Sequence, residues 1–162
     1  MNIVITGATG AIGAALARLL HARGDTLLLC GRSDDKLAAL NQALGGAHRT
    51  LAADLTGADG SAALQACAAQ IGAFDGLAHC VGSTVVRPLH LTSESDWSEQ
   101  LAINATSAFH VLQWFVLQAT KAQASAVLTS SVGAEAGIAN HEAITAAKCA
   151  VTNKRPVSAG SW

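Results

Sequence analysis

Residues 2–13 read Asn2-Ile3-Val4-Ile5-Thr6-Gly7-Ala8-Thr9-Gly10-Ala11-Ile12-Gly13, and this stretch decides the fold. The β-branched run at 2–6 predicts a strand, and a helix follows over 11–23. The helix carries apolar residues at helical spacing and is followed by Gly24; they are Ile12, Leu16, Leu19 and Leu20. A strand that enters a helix through glycines is typical of a phosphate-binding βαβ unit, because the backbone N–H groups at the helix start are free.

The rest of the chain repeats this alternation of strand and helix. Further strands are predicted at 26–30, 48–53, 75–81 and 124–130, and further helices at 33–44, 59–71, 93–123 and 141–152. Alternating elements favour the α/β class, with a doubly wound parallel sheet and helices on both faces. We predict a single domain over 1–151, followed by an irregular tail at 152–162.

Composition narrows the class of protein. The chain has 162 residues, is 51% hydrophobic and 13% charged, and carries a net charge of −1. This balance is typical of a globular domain and argues against nucleic-acid binding. Neither a membrane span nor a leader peptide is predicted, so we expect a cytoplasmic protein. The four cysteines and six histidines are dispersed, which predicts reduced thiols and no metal site.

The glycine turn resembles the TGxxxGxG pattern of the short-chain dehydrogenase/reductase family. Thr6, Gly7 and Gly13 fit that pattern, and Ala11 stands in the place of its middle glycine. The likeness extends over residues 2–151. It implies a Rossmann-type sheet of about five strands in the order 3-2-1-4-5. It also implies a nicotinamide dinucleotide held by the turn residues, which are Thr6, Gly7, Thr9, Gly10, Ala11, Ile12 and Gly13.

The second strand carries the signal for the type of nucleotide. It ends in Cys30-Gly31-Arg32, without the acidic residue that usually binds a free ribose 2′-hydroxyl. Arg32 offers donors to a 2′-phosphate, which favours NADP(H) over NAD(H). The alternative is an ordinary solvated arginine.

Two further segments resemble the family's cofactor contacts. Asp54-Leu55 is similar to its adenine contact, and Gly82 matches the last residue of its Asn-Asn-Ala-Gly motif. That motif reads His79-Cys80-Val81-Gly82 here, so Cys80 replaces an asparagine.

The resemblance implies an active site of Asn, Ser, Tyr and Lys. Asn104, Ser131 and Lys148 match three of them, and Lys148 would also hold the nicotinamide ribose. The tyrosine position, four residues before Lys148, holds Ile144, and the chain contains no tyrosine. The implied reaction is hydride transfer between NADP(H) and an alcohol or carbonyl compound, impaired here because isoleucine has no proton to donate.

Several interpretations remain open at this point. His141, three residues before Ile144, is a candidate substitute acid or else an ordinary residue at the helix start. The chain is an impaired oxidoreductase, a non-catalytic NADP-binding regulator or sensor, or a truncated product without function.

The resemblance also implies features beyond the cofactor site. Family members continue with a sixth strand, a substrate-binding loop and a seventh strand, so we expect a C-terminally truncated chain whose fifth strand is an unpaired edge. A homodimer through the helices near 93–121 and 141–152 is a further expectation.

Overall fold

The five predicted strands form one parallel sheet in the order β3-β2-β1-β4-β5, which confirms the predicted topology. The computed structural model describes residues 1–118 and 124–152. The strands are β1 Asn2–Thr6, β2 Thr26–Gly31, β3 Arg49–Ala52, β4 Gly76–His79 and β5 Ser125–Leu128. The helices are α1 Ala11–Ala22, α2 Asp34–Ala43, α3 Ala58–Ala69, α4 Glu94–Leu101, α5 Ser107–Gln118, α6 Gly133–Ala136 and α7 Glu142–Val151.

Two hydrophobic clusters lie on opposite faces of the sheet. Alternate strand residues point to opposite faces, so Val4 and Leu28 join the cluster that includes Leu64 of α3 and Val111 of α5. Their neighbours join the other cluster with α1 and α2; among them are Ile3, Ile5, Leu27, Leu29, Ala17 and Leu37. The helices therefore cover both faces, as the alternation predicted. Cys30 is fully buried in the first cluster, and this burial raises the pKa of its thiol to about 12.

The buried face of α1 includes only part of the apolar set that predicted the helix. Ile12 and Leu19 are 59% and 70% exposed, whereas Gly13 and Ala17 are buried. Leu16 and Leu20 pack against the core from partly buried positions. The stripe that contacts the sheet is therefore 13, 16, 17 and 20, because small residues at 13 and 17 allow the helix to approach the strands closely.

The predicted helix over 93–123 is not continuous. Between α4 and α5 lies a π-helical turn at Ala102–Thr106, where the Ser107 N–H bonds to the Ala102 carbonyl. The Ile103 carbonyl accepts the Ser107 hydroxyl instead, at 2.6 Å. A side-chain donor thus replaces a backbone donor in this turn. Sequence periodicity does not indicate such an exchange of hydrogen-bond donors. The part of the predicted helix at 119–123 lies outside the described residues.

Smaller elements and one close contact were not predicted from the sequence. A 3-10 turn at Leu89–Leu91 and the short α6 lie in segments for which no element was predicted. Gly60 of α3 packs on the backbone before it, where an added Cβ would lie 1.8 Å from the Asp54 carbonyl oxygen. Any side chain at 60 would therefore displace α3 from the end of β3.

Strand β5 lies at the edge of the sheet, as predicted. Within residues 1–118 and 124–152 it pairs with β4 alone, and Val127 is 66% exposed. The prediction of an irregular tail over 152–162 falls almost entirely outside the described residues.

Candidate functional site

A cleft of about 290 Å³ opens where the strand order reverses, at the carboxyl ends of β1 and β4. Open parallel sheets bind ligands at this position because the loops after neighbouring strands diverge there. The cleft is lined by Gly7, Thr9, Gly10, Gly31, Arg32, Lys36, Ala53, Asp54, Leu55, Thr56, Cys80, Val81, Gly82, Ser83 and Ile103. Seven of the predicted cofactor residues are among them: Gly7, Thr9, Gly10, Arg32, Asp54, Leu55 and Gly82.

The turn between β1 and α1 is packed too closely for side chains at two glycines. Gly7 has φ +69°, and an added Cβ would lie 2.7 Å from the Cys80 carbonyl. At Gly13 an added Cβ would lie 2.3 Å from the Gly7 carbonyl oxygen. Gly7 therefore keeps the turn against the end of β4, while Gly13 lies behind the turn and shapes it without lining the cleft.

Helix α1 presents its N-terminus to this turn. Gly10 is its N-cap, and in the described part of the chain no side chain caps it. The first-turn N–H groups of a helix have no intrahelical acceptor, and the helix dipole adds positive potential there. Ala11 and Ile12, whose side chains are exposed, begin this turn. The arrangement suits a phosphate group.

Basic side chains line the cleft beyond the end of β2. Arg32 follows the strand, and Lys36 lies in the first turn of α2, which Ser33 caps by accepting the Lys36 N–H. Asp54 lies across from them after β3. Its carboxylate accepts the Thr56 N–H at 3.0 Å and the Thr56 hydroxyl at 2.9 Å. These bonds lower the pKa of Asp54, and the charge of Arg32 adds to the effect.

Three of the predicted residues meet at the end of β4. A Cβ added to Gly82 would lie 3.2 Å from Asn104 Oδ1 and 3.3 Å from Lys148 Nζ. Asn104 is fully buried in the π-helical turn. Lys148 is buried in α7 and donates to the Thr129 carbonyl at 2.9 Å. Burial lowers the pKa of this lysine.

Ser131 follows β5 and is exposed. Its hydroxyl accepts the Gly133 N–H at 3.2 Å. A Cβ added to Gly133 would lie 3.5 Å from Ser131 Oγ and 3.3 Å from Thr145 Oγ1. Ser131 Oγ and Thr145 Oγ1 of α7 therefore both lie close to Gly133.

Ile144 is 5% exposed and lies one helical turn before Lys148. Residues four apart share a helix face. Ile144 and Lys148 therefore lie on the same face of α7, but the side chain of Ile144 offers no hydrogen-bond donor or acceptor.

A family model described as short chain dehydrogenase matches residues 1–154. The chain belongs to the short-chain dehydrogenase family. It is 31% identical over 164 residues to D-threitol dehydrogenase of Mycolicibacterium smegmatis, covering 98% of this chain and 63% of that protein. It is 33% identical over 158 residues to cis-4-hydroxycyclohexanecarboxylate dehydrogenase of Sinomonas cyclohexanicum, covering 93% and 62%.

Solved structures of the short-chain dehydrogenase family superpose closely on this fold. A glucose/ribitol dehydrogenase of the family from Brucella melitensis gives a TM-score of 0.87 at 30% identity, covering 92% of this chain and 64% of that one. NAD⁺-bound xylitol dehydrogenase gives 0.86 at 26% identity, covering 93% and 60%. The present chain therefore spans about three fifths of the length of these relatives.

His141, the candidate substitute acid, is the N-cap of α7. Its Nδ1 donates to the Ala139 carbonyl at 2.8 Å. This bond turns the ring back toward the preceding loop, so the structure favours the interpretation of a residue at the helix start.

His79 occupies the first position of the family's Asn-Asn-Ala-Gly motif, and the structure gives it a role that the sequence did not. Its ring lies between Thr6 Oγ1, 2.8 Å from Nδ1, and Ser107 Oγ, 3.2 Å from Nε2. Ser107 gives its only hydroxyl proton to the Ile103 carbonyl, so its oxygen accepts from Nε2. Burial lowers the pKa of His79 to about 4, so near pH 7 Nδ1 carries no proton and accepts from the Thr6 hydroxyl. His79 is thus neutral, and Thr6 serves the core rather than the cleft.

In residues 1–118 and 124–152, no three His, Cys, Asp or Glu side chains gather where a metal ion could bind. Over the same ranges no helix is both long and apolar enough to cross a membrane. Cys30, Cys67, Cys80 and Cys149 are free thiols.

Proposed function

We propose that the chain binds NADP(H) in the cleft between β1 and β4. One observation carries the proposal: the uncapped start of α1 and the basic pair Arg32 and Lys36 line the same cleft. The helix start suits the pyrophosphate. The basic pair suits a 2′-phosphate, because β2 ends without the carboxylate that would repel it.

The remaining cofactor contacts follow from this placement. Asp54, kept ionised by its bonds to Thr56, would accept the adenine amino group, with Leu55 beside it. Gly82 leaves room for the ribose beside Lys148 Nζ. Under this proposal the adenosine half lies over the ends of β2 and β3, and the nicotinamide half lies beyond β4.

Replacing Arg32 by alanine should weaken NADPH binding about tenfold and leave NADH binding unchanged, because one charge-assisted contact to the 2′-phosphate is lost. Isothermal titration of both nucleotides measures this. Arg18→Ala, an exposed arginine of α1 that does not line the cleft, is the matched control. Equal losses for NADPH and NADH would contradict the assignment of Arg32.

We propose alcohol–carbonyl redox as the reaction for which this site is arranged. The bound nicotinamide would supply or accept the hydride. Ser131 would donate a hydrogen bond to the substrate oxygen without giving up its proton, and Lys148 would hold the ribose. At position 144 no side chain carries the proton that the developing alkoxide needs, so turnover in this chain should be slow.

The residue at position 144 also favours a second function. Ile144 is buried and apolar, which fits a protein that binds NADP(H) without turning over a substrate. A panel of carbonyl compounds and alcohols, followed by NADPH absorbance, separates the two functions. NADPH binding without any substrate-dependent absorbance change would support the non-catalytic regulator and contradict the oxidoreductase function.

We also propose that the chain forms a homodimer through α4, α5 and α7. Helix α5 carries exposed apolar side chains, with Phe109 58% and Leu117 70% exposed. Sedimentation should give a dimer for the natural chain and a monomer for Phe109→Glu, because a buried unpaired charge is costly. A natural chain that sediments as a monomer would refute this.

A further inference from the structure

Three polar residues form a closed hydrogen-bonded ring under the end of β4, here called the Gln100 ring. The Ser83 N–H donates to Asn104 Oδ1 at 3.2 Å. Asn104 Nδ2 donates to Gln100 Oε1 at 3.2 Å, and Gln100 Nε2 donates to Ser83 Oγ at 3.2 Å. Each amide orientation is therefore fixed by its neighbour in the ring.

The buried side-chain amides of the ring are largely satisfied by hydrogen bonds. Gln100 is 1% exposed and Asn104 is 0% exposed. The second Nδ2 proton of Asn104 goes to the Gln100 backbone carbonyl at 3.1 Å. Burying a polar group is costly unless it is hydrogen-bonded, so the two amides depend on each other and on Ser83.

The ring connects the helical layer to the cleft. Ser83 and its neighbour Gly82 both line the cleft, whereas Gln100 lies behind it at the end of α4. Asn104 Oδ1 accepts the Ser83 N–H and lies 3.2 Å from where a Cβ on Gly82 would be, so it holds the Ser83 backbone directly beside Gly82. A change at Gln100 therefore reaches the cleft through Asn104 and Ser83.

We propose that Gln100 is a positioning residue that holds the Gly82–Ser83 backbone where the nicotinamide half of the dinucleotide binds. The inference rests on the proposed function and deepens it. Gln100 does not line the cleft, so its effect passes through Ser83 and Asn104. Arg32 and Asp54 lie beyond β1 at the ends of β2 and β3, so the adenosine half does not depend on the ring.

The test compares two ligands on one protein. NADPH spans both halves of the cleft, while adenosine 2′,5′-bisphosphate reaches only the half near Arg32. In Gln100→Leu, NADPH affinity should fall about tenfold, as expected for one lost buried hydrogen-bond pair, while bisphosphate affinity stays unchanged. A merely structural role would weaken both ligands together, and that result would overturn the proposal.

Ser83 variants supply a milder version of the test, should Gln100→Leu fail to fold. Ser83→Ala removes the acceptor of Gln100 Nε2 and should reproduce the selective loss of NADPH affinity. Ser83→Thr keeps the hydroxyl and should restore it. Equal NADPH affinities for the Ala and Thr variants would refute the role of the ring. If the natural chain binds neither ligand, the proposed function falls as well, whereas natural binding with insensitive variants refutes the ring alone.

Discussion

Replacing Ile144 by tyrosine should raise the rate of NADPH-dependent carbonyl reduction by about 10²–10⁴-fold, the usual contribution of a positioned general acid. The substitution puts a phenolic hydroxyl on the face of α7 that carries Lys148. The ammonium of Lys148 would stabilise the phenolate, which lowers the pKa of the new tyrosine toward neutrality. Ser131 would hold the substrate oxygen from the end of β5.

Ile144→Phe is the matched control, because it adds the same ring without the hydroxyl. Both substitutions place a larger side chain at a position that is 5% exposed, so we expect each to cost about 1–3 kcal/mol of stability from overpacking. Thermal unfolding of the two variants measures this shared cost. A rate gain in the Ile144→Tyr variant alone identifies the missing proton donor. Equal rates in Ile144→Tyr and Ile144→Phe would show that proton donation at this position does not limit turnover.

Acid should destabilise the chain between pH 6.5 and 4 through His79. Burial, with a smaller contribution from the charge of Lys148, lowers the pKa of His79 from 6.5 to about 4. The folded state thus binds the proton less readily than the unfolded state. The stabilisation is complete above pH 6.5 and is lost as the pH falls to 4, an effect of roughly 3 kcal/mol.

Other groups contribute less in this interval. His48 also has a lowered pKa, from burial and from the nearby His21, so its effect has the same sign. The carboxyl pKa values of Asp25, Asp54 and Asp96 are lowered from 3.8, so their stabilisation is lost at lower pH. Among these groups, His79 is the one with both ring nitrogens bonded in the core.

Denaturant unfolding at a series of pH values measures the prediction. In His79→Asn the free energy of unfolding should vary much less between pH 6.5 and 4, since the titrating group is gone. His48→Asn is the control and should leave most of the slope in place. A slope that persists in full in His79→Asn would contradict the assignment.

The sequence predicted the fold well because its signals are local. Strand β1 and the glycines at 7 and 13 predict the close turn between β1 and α1, and the alternation of strands and helices predicts the sheet. The resemblance to the family predicted Ser131 and Lys148 as site residues, and the structure places them after β5 and in α7. Within the cleft, Arg32 and Asp54 lie where the residues after β2 and β3 were expected.

What the sequence missed depends on contacts between distant segments. Gln100 lies four residues before Asn104, a helix-face spacing that was available, but its bond to Ser83 joins different segments. His79 had no predicted role, because Thr6 and Ser107, which bond to its two ring nitrogens, come from other segments of the chain. The buried residues of α1 include Gly13 and Ala17, which apolar spacing alone does not indicate because close packing against the sheet selects them.

The order of the strands has a consequence for how the chain folds during synthesis. Strand β1 is made first, yet Ile3 pairs with both Leu27 and Gly76. Parallel pairing between distant segments is slow, because loop closure precedes the gain from the contacts. During synthesis, β1 therefore lacks its pairing with β4 until β4 has left the ribosome. The turn at Gly7 is synthesised early, but the cleft is bounded on its other side only after the segment around Gly82 has been synthesised.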